Sequence, residues 1–171
     1  MTALTLKSYQ QSALDALATY ARAARVKGPA AAFAEHAGRA YNADAFGPDV
    51  PCVCLRIPTG GGKTVLAAHA VPLLATEWRG TDAPVAVWLV PSDTIRTQTL
   101  KALQTSGHPY REALEAVYGL SLRVCSLDDV AQVPAPQWGR QAVVIVVATI
   151  QSFRIDDAGQ RNVYSFTEAF E

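Results

Sequence analysis

The segment Pro58-Thr59-Gly60-Gly61-Gly62-Lys63-Thr64 gathers the residue types that hold a triphosphate. Phosphate oxygens need backbone N–H groups converging on them, and glycine permits both the close approach and the unusual dihedrals this takes. A helix starting directly after the loop adds its positive end. Lys63 can then place an ammonium between the β and γ phosphates, and the Thr64 hydroxyl can ligate Mg²⁺. Lys63 and Thr64 are therefore the candidate catalytic residues and Thr64 the candidate metal ligand. Pro58 to Thr64 as a whole is the candidate nucleotide-binding loop. Its flanks suit the role, with the apolar run Val53 to Ile57 before it and a helix-prone stretch after it. The general pattern GxxxxGK[ST] is not met, because its first glycine falls on Ile57. The plain alternative is a glycine turn that happens to precede Lys-Thr.

Four further segments bear on the same chemistry: Leu6-Lys7-Ser8-Tyr9-Gln10, Val87-Trp88-Leu89-Val90-Pro91-Ser92, Val146-Val147-Ala148-Thr149-Ile150-Gln151-Ser152-Phe153, and Arg161-Asn162-Val163-Tyr164-Ser165-Phe166. With the loop, they make the chain resemble superfamily 2 helicases and translocases of DEAD/DEAH type, most of all the helicase subunit of type III restriction enzymes. The resemblance runs over essentially the whole chain. It implies a P-loop NTPase domain of RecA-like fold that uses ATP and Mg²⁺. By the same resemblance Gln10 reads the adenine edge, for which an amide that both donates and accepts is chemically suited; Gln11 is its easily confused neighbour. Ser92, Thr94 and Arg96, at the end of one strand, would hold a nucleic-acid phosphate, as would Thr149 or Gln151 at the end of another. Such contacts position a strand of DNA without reading its sequence. The bland account is a capping serine, a solvated arginine and surface glutamines. A separate modification (methyltransferase) subunit is the partner the resemblance implies.

A motor of that kind needs an Asp-Glu pair at the end of an apolar strand, to hold Mg²⁺ and orient the attacking water. Asp128-Asp129 lies in a polar turn, Asp156-Asp157 precedes Ala158-Gly159, and the strongest apolar run ends in Ala148-Thr149. The expectation is therefore an incomplete RecA-like domain spanning 1–171. Residues 1–50 form a helical lead-in; residues 51–171 carry the loop and the two nucleic-acid segments. A second RecA-like domain and a nuclease domain are not in the sequence. The chain would be a truncated product, a split subunit or the first part of a longer motor. The competing readings are a nucleotide-binding fragment without turnover and another P-loop NTPase or kinase.

The elements that must position these residues follow from periodicity. Apolar residues recur at helical spacing over 8–26, with Ser8 as a plausible N-cap. A second helix is expected from Pro29 to Ala40 and a loop from Asn42 to Pro51. Val53 to Ile57 reads as a buried strand, and Thr64 to about Trp78 as a helix that Pro72 kinks or interrupts. A strand at Pro84–Val90 leads into a helix of about fifteen residues capped by Ser92. Tyr110–Tyr118 is a helix, Leu122–Leu127 a strand, and Asp128–Gly139 a loop. Ala142–Thr149 is an unbroken apolar strand suited to the middle of a parallel sheet. Strands alternating with helices make the fold α/β, a mostly parallel sheet flanked by helices.

Composition narrows the partners. The 171 residues are 50% hydrophobic and carry fifteen Lys+Arg against fifteen Asp+Glu, so a disordered chain or a polycation is excluded, and nucleic acid must be gripped locally. Three cysteines are too few for a disulfide scaffold and leave an odd thiol, which favours the cytoplasm. Cys52-Val53-Cys54 is not zinc-like spacing and reads as small buried residues on a strand. No apolar run is long enough to cross a bilayer.

Overall fold

The computed structural model describes residues 4–43, 47–134 and 142–153. Asp156-Asp157 and the Arg161–Phe166 segment lie outside the described residues, as do residues 135–139 of the expected loop. The chain divides into two compact units, residues 2–82 and residues 83–171.

The first unit is helical. α1 (Ser8–Lys27) buries Gln10, Leu14, Leu17, Tyr20, Ala21 and Ala24, a stripe repeating every three or four residues. Its N-cap is Lys7 rather than Ser8. The Lys7 N–H is taken by Gln10 Oε1 at 2.9 Å, half of a capping box, so the Ser8 hydroxyl is not needed. Gly28, at φ +85°, breaks the chain into α2 (Pro29–Ala37), whose first position suits proline. Tyr20, Phe33 and Tyr41 stack edge to face, with centroids 6.1 and 5.6 Å apart. The Tyr41 hydroxyl donates to Val50 O and accepts the Cys52 N–H at 2.8 Å, which carries this aromatic row to the segment leading into the loop. Burial, then the neighbouring Tyr41 and Cys52, push the Tyr20 phenol up to about 12.

α3 (Lys63–Leu74) begins directly at the loop. It runs through Pro72 and then widens into one π-helical turn, Ala75–Arg79, held to α1 by the 2.8 Å Arg22–Glu77 ion pair. The interruption expected at Pro72 takes the form of this π turn; Pro72 lacks the N–H that would bond Ala68 O, and the turn after it loosens.

The expectation of a buried strand at Val53–Ile57 is also corrected. The segment is not in a sheet, and Val53 and Leu55 are 38% and 37% exposed. No strand lies among the described residues of this unit to pair with it. Cys52 and Cys54 are exposed for the same reason, not buried as expected.

The second unit is a parallel three-stranded sheet in the order β1-β3-β2, with β1 Val85–Val90, β2 Leu122–Ser126 and β3 Val143–Thr149. Every residue of β3 is buried, as an apolar run without alternation requires of a strand covered on both faces. α4 (Asp93–Gln104) and α5 (Pro109–Tyr118) pack on the sheet through the fully buried Leu103 and Leu114. The Gln104 amide donates to Val124 O at 3.0 Å, taking up a carbonyl of β2. On one face Cys125, Val144 and Val146 pack with Val130, Leu127 and Val133. Val85, Val87 and Leu89 share that face through their register partners Val144, Val146 and Ala148, yet they are 40%, 55% and 50% exposed.

Candidate functional site

The loop is a tight turn closed on Pro58 O. That carbonyl accepts the Gly61 N–H and the Lys63 Nζ, each at 3.0 Å. Gly60 and Gly62 sit at φ +76° and +80°, where a side chain is strained. Gly62 is the N-cap of α3, and the first helical bond is Leu66 N–H to Gly62 O at 3.0 Å. The N–H groups of Lys63, Thr64 and Val65 therefore precede the helix's own acceptors and point out of its start. Lys63 makes no ion pair among the described residues, and its ammonium rests on a neutral carbonyl, a partner it can exchange for an anion. An apolar cavity of about 280 Å³ beside the loop is lined by Leu17, Leu55, Ile57 and Leu66, with Lys63 the charged group in its wall.

α1 reaches this loop with two side chains. Gln10, only 7% exposed, donates from Nε2 to Gly61 O at 2.9 Å. Tyr9 Oη donates to the same oxygen at 2.9 Å. Gln10 is thus brought to the loop from fifty-one residues away in the chain. Its amide keeps one N–H and one oxygen lone pair beyond the bonds to Gly61 O and Lys7 N–H. Tyr9 was not singled out by the sequence reading; its place beside Gln10 in Tyr9-Gln10 was the available signal.

The second unit gathers the remaining candidates at one end of the sheet. Val90 and Thr149 are register partners, so Pro91-Ser92 and Ile150-Gln151 leave neighbouring strands side by side. Ser92 Oγ accepts the Ile95 N–H at 3.4 Å and caps α4, while Asp93 occupies its first turn. α4 has twelve residues, not about fifteen. Thr94 and Gln151 are exposed. Thr149 is buried and its Oγ1 lies 2.8 Å from Ser152 Oγ. Arg96 is held between Asp93 at 3.0 Å and Asp128 at 3.8 Å. Asp129 accepts the Ser126 hydroxyl at 2.6 Å. No group of three His, Cys, Asp or Glu among the described residues is placed to hold a metal ion.

The loop sits on a helix N-terminus as expected but without the strand expected before it, and a parallel sheet with polar residues at its strand ends follows in the chain. The family model of the type III restriction enzyme res subunit matches residues 3–170. The chain belongs to that family. Res-subunit membership makes the fold that of a P-loop helicase domain, α/β with a parallel sheet flanked by helices. No curated protein and no solved structure matches the res-family chain significantly. No helix among its described residues is long and apolar enough to cross a membrane.

Proposed function

We propose that the chain is the ATP-binding segment of a nucleic-acid-dependent ATPase, a DNA translocase subunit of a type III restriction system. The observation that carries this reading is the Pro58–Thr64 loop seated on the N-terminus of α3 in a chain of the res-subunit family. The donors fit a triphosphate with its cation. The loop and the first turn of α3 offer N–H groups with no helical acceptor, the Lys63 ammonium is uncompensated, and Thr64 supplies a hydroxyl. Gly60, Gly61, Gly62 and Lys63 bind the phosphates, Thr64 ligates Mg²⁺, and the unspent donor and acceptor of Gln10 meet the adenine edge. Bound Mg²⁺ would offset charge on the phosphate oxygens. Ser92, Thr94, Arg96, Thr149 and Gln151 contact the DNA backbone, Arg96 exchanging Asp93 and Asp128 for phosphate. Residues 1–50 serve as the lead-in and 51–171 as the nucleotide- and DNA-contacting part. A modification subunit supplies sequence recognition, and the unpaired thiols suit the cytoplasm.

A second reading, binding without turnover, is favoured by the carboxylates at the end of β2. Asp129 is held by Ser126, and Asp128 lies beside Arg96. The test of the main reading is titration of the chain with fluorescent ATP and Mg²⁺, beside Lys63→Ala. Losing a charge-assisted contact should weaken binding at least about tenfold. Equal affinity for the two proteins sinks the assignment of the loop.

A further inference from the structure

We propose that Tyr9 is a positioning residue of the phosphate loop: with Gln10 it fixes the Gly61 carbonyl and thereby aims the Gly62 N–H. The inference rests on the loop's being a nucleotide site. Two donors from adjacent residues of α1, Tyr9 Oη and Gln10 Nε2, reach one oxygen, Gly61 O, each at 2.9 Å. A carbonyl has two lone pairs, so this one is fully occupied. Every peptide bond of the described residues is trans. In a trans peptide the C=O and the N–H that follows it point in opposite directions. Holding Gly61 O toward α1 therefore turns the Gly62 N–H away from α1. That N–H then adds to the outward-pointing N–H groups of Lys63, Thr64 and Val65 at the start of α3.

Three consecutive glycines would otherwise sample many orientations of this peptide, because glycine has the widest backbone freedom and loses the most on ordering. A loop ordered before phosphate arrives does not bear that loss during binding. Gln10 alone could hold Gly61 O, but a single donor lets the peptide plane pivot about one bond. The second donor removes that pivot. The hydroxyl is the group that does this; the Tyr9 ring is 40% exposed and makes no ring contact with another aromatic residue among the described residues.

The test uses the full chain and Tyr9→Phe, which deletes the hydroxyl and keeps the ring. Hydrogen–deuterium exchange over residues 58–64 reads the loop without any ligand. Titration with ATP and with GTP, each with Mg²⁺, reads the site. The expected result is exchange about fivefold faster in the loop, and affinity about fivefold lower for ATP and GTP alike, as loss of one neutral hydrogen bond implies. The melting temperature should stay near that of the parent. Unchanged exchange overturns the clamp whether or not ATP binds. A loss confined to ATP overturns it in favour of a base contact, and a collapsed melting transition overturns it in favour of a purely structural hydroxyl. Faster loop exchange in a chain that binds no nucleotide upholds the clamp and sinks the ATP reading instead.

Discussion

Gly62 cannot carry a side chain, for two independent reasons. Its φ is +80°, and a Cβ built there would lie 2.4 Å from Gln10 Nε2. Gly60 has the first problem only, since its φ is +76° but the space around it is open. Strain of this kind costs on the order of 1–3 kcal/mol. Gly62→Ala should therefore cost more than Gly60→Ala, because it also drives Gln10 off Gly61 O. Urea unfolding of the two variants checks this, and equal losses would mean that the Gln10 contact is worth nothing. The glycines were legible in the sequence as a loop that needs them; which neighbour excludes the side chain was not. Gln10 shows why. It extends the buried stripe of Leu14, Leu17, Ala21 and Ala24 back by one turn, so periodicity could have marked it as an inward polar group in need of a partner. Nothing local could name that partner as a carbonyl in the glycine loop.

Among the elements, β3 and the helices could be read from the sequence because the cause of each is local. An unbroken apolar run needs cover on both faces, and a three-or-four-residue repeat makes a helical stripe. Val53–Ile57 is also mostly apolar, although Arg56 breaks its run as nothing breaks β3, yet it is not in a sheet. Apolar composition measures how much a segment can bury; pairing depends on a neighbouring strand, which the residues of the segment do not encode. Pro72 likewise announced an interruption without specifying the π turn that follows. α3 also carries a pH dependence. His69 is half-buried, and burial holds its imidazole below the ordinary 6.5. The folded state therefore binds fewer protons than the unfolded one as pH falls through 6.5. Stability is whole above that value and declines below it, until the folded pKa is passed. The melting temperature of the parent should fall relative to His69→Gln between pH 7.5 and 5.5. A constant difference between the two would show that burial of His69 has no such effect.

At the scale of the molecule, the proposed nucleotide site leads us to expect binding without turnover from this chain. In the proposed nucleotide site the loop amides and Lys63 would touch ground-state phosphates, whereas rate requires contacts made only in the transition state. An arginine finger alone is worth about 10³–10⁵ in rate, and the sequence has no Asp-Glu closing an apolar strand. Phosphate release by the purified chain, with or without DNA, should stay at the level of its Lys63→Ala control. Steady release that this substitution removes would reveal a working carboxylate, with Asp128 and Asp129 the first to replace. The family and the α/β class were readable because the loop is a compact chemical signature. The division into two units near residue 82 was not, since it depends on which distant segments pack together.

The strand order has a consequence for how this protein is made. β3 comes last of the three strands in the chain but stands between the other two, and neither β1 nor β2 has another strand beside it among the described residues. During synthesis no pair of these strands can form until residues 143–149 have left the ribosome. At roughly 5–20 residues per second, β1 waits several seconds with no partner strand. Through that interval Val85, Val87 and Leu89 form a nascent apolar ribbon open to chaperones. A ribosome stalled before Val143 would hold the ribbon in that state, so the density of chaperones bound to nascent chains should drop once β3 emerges.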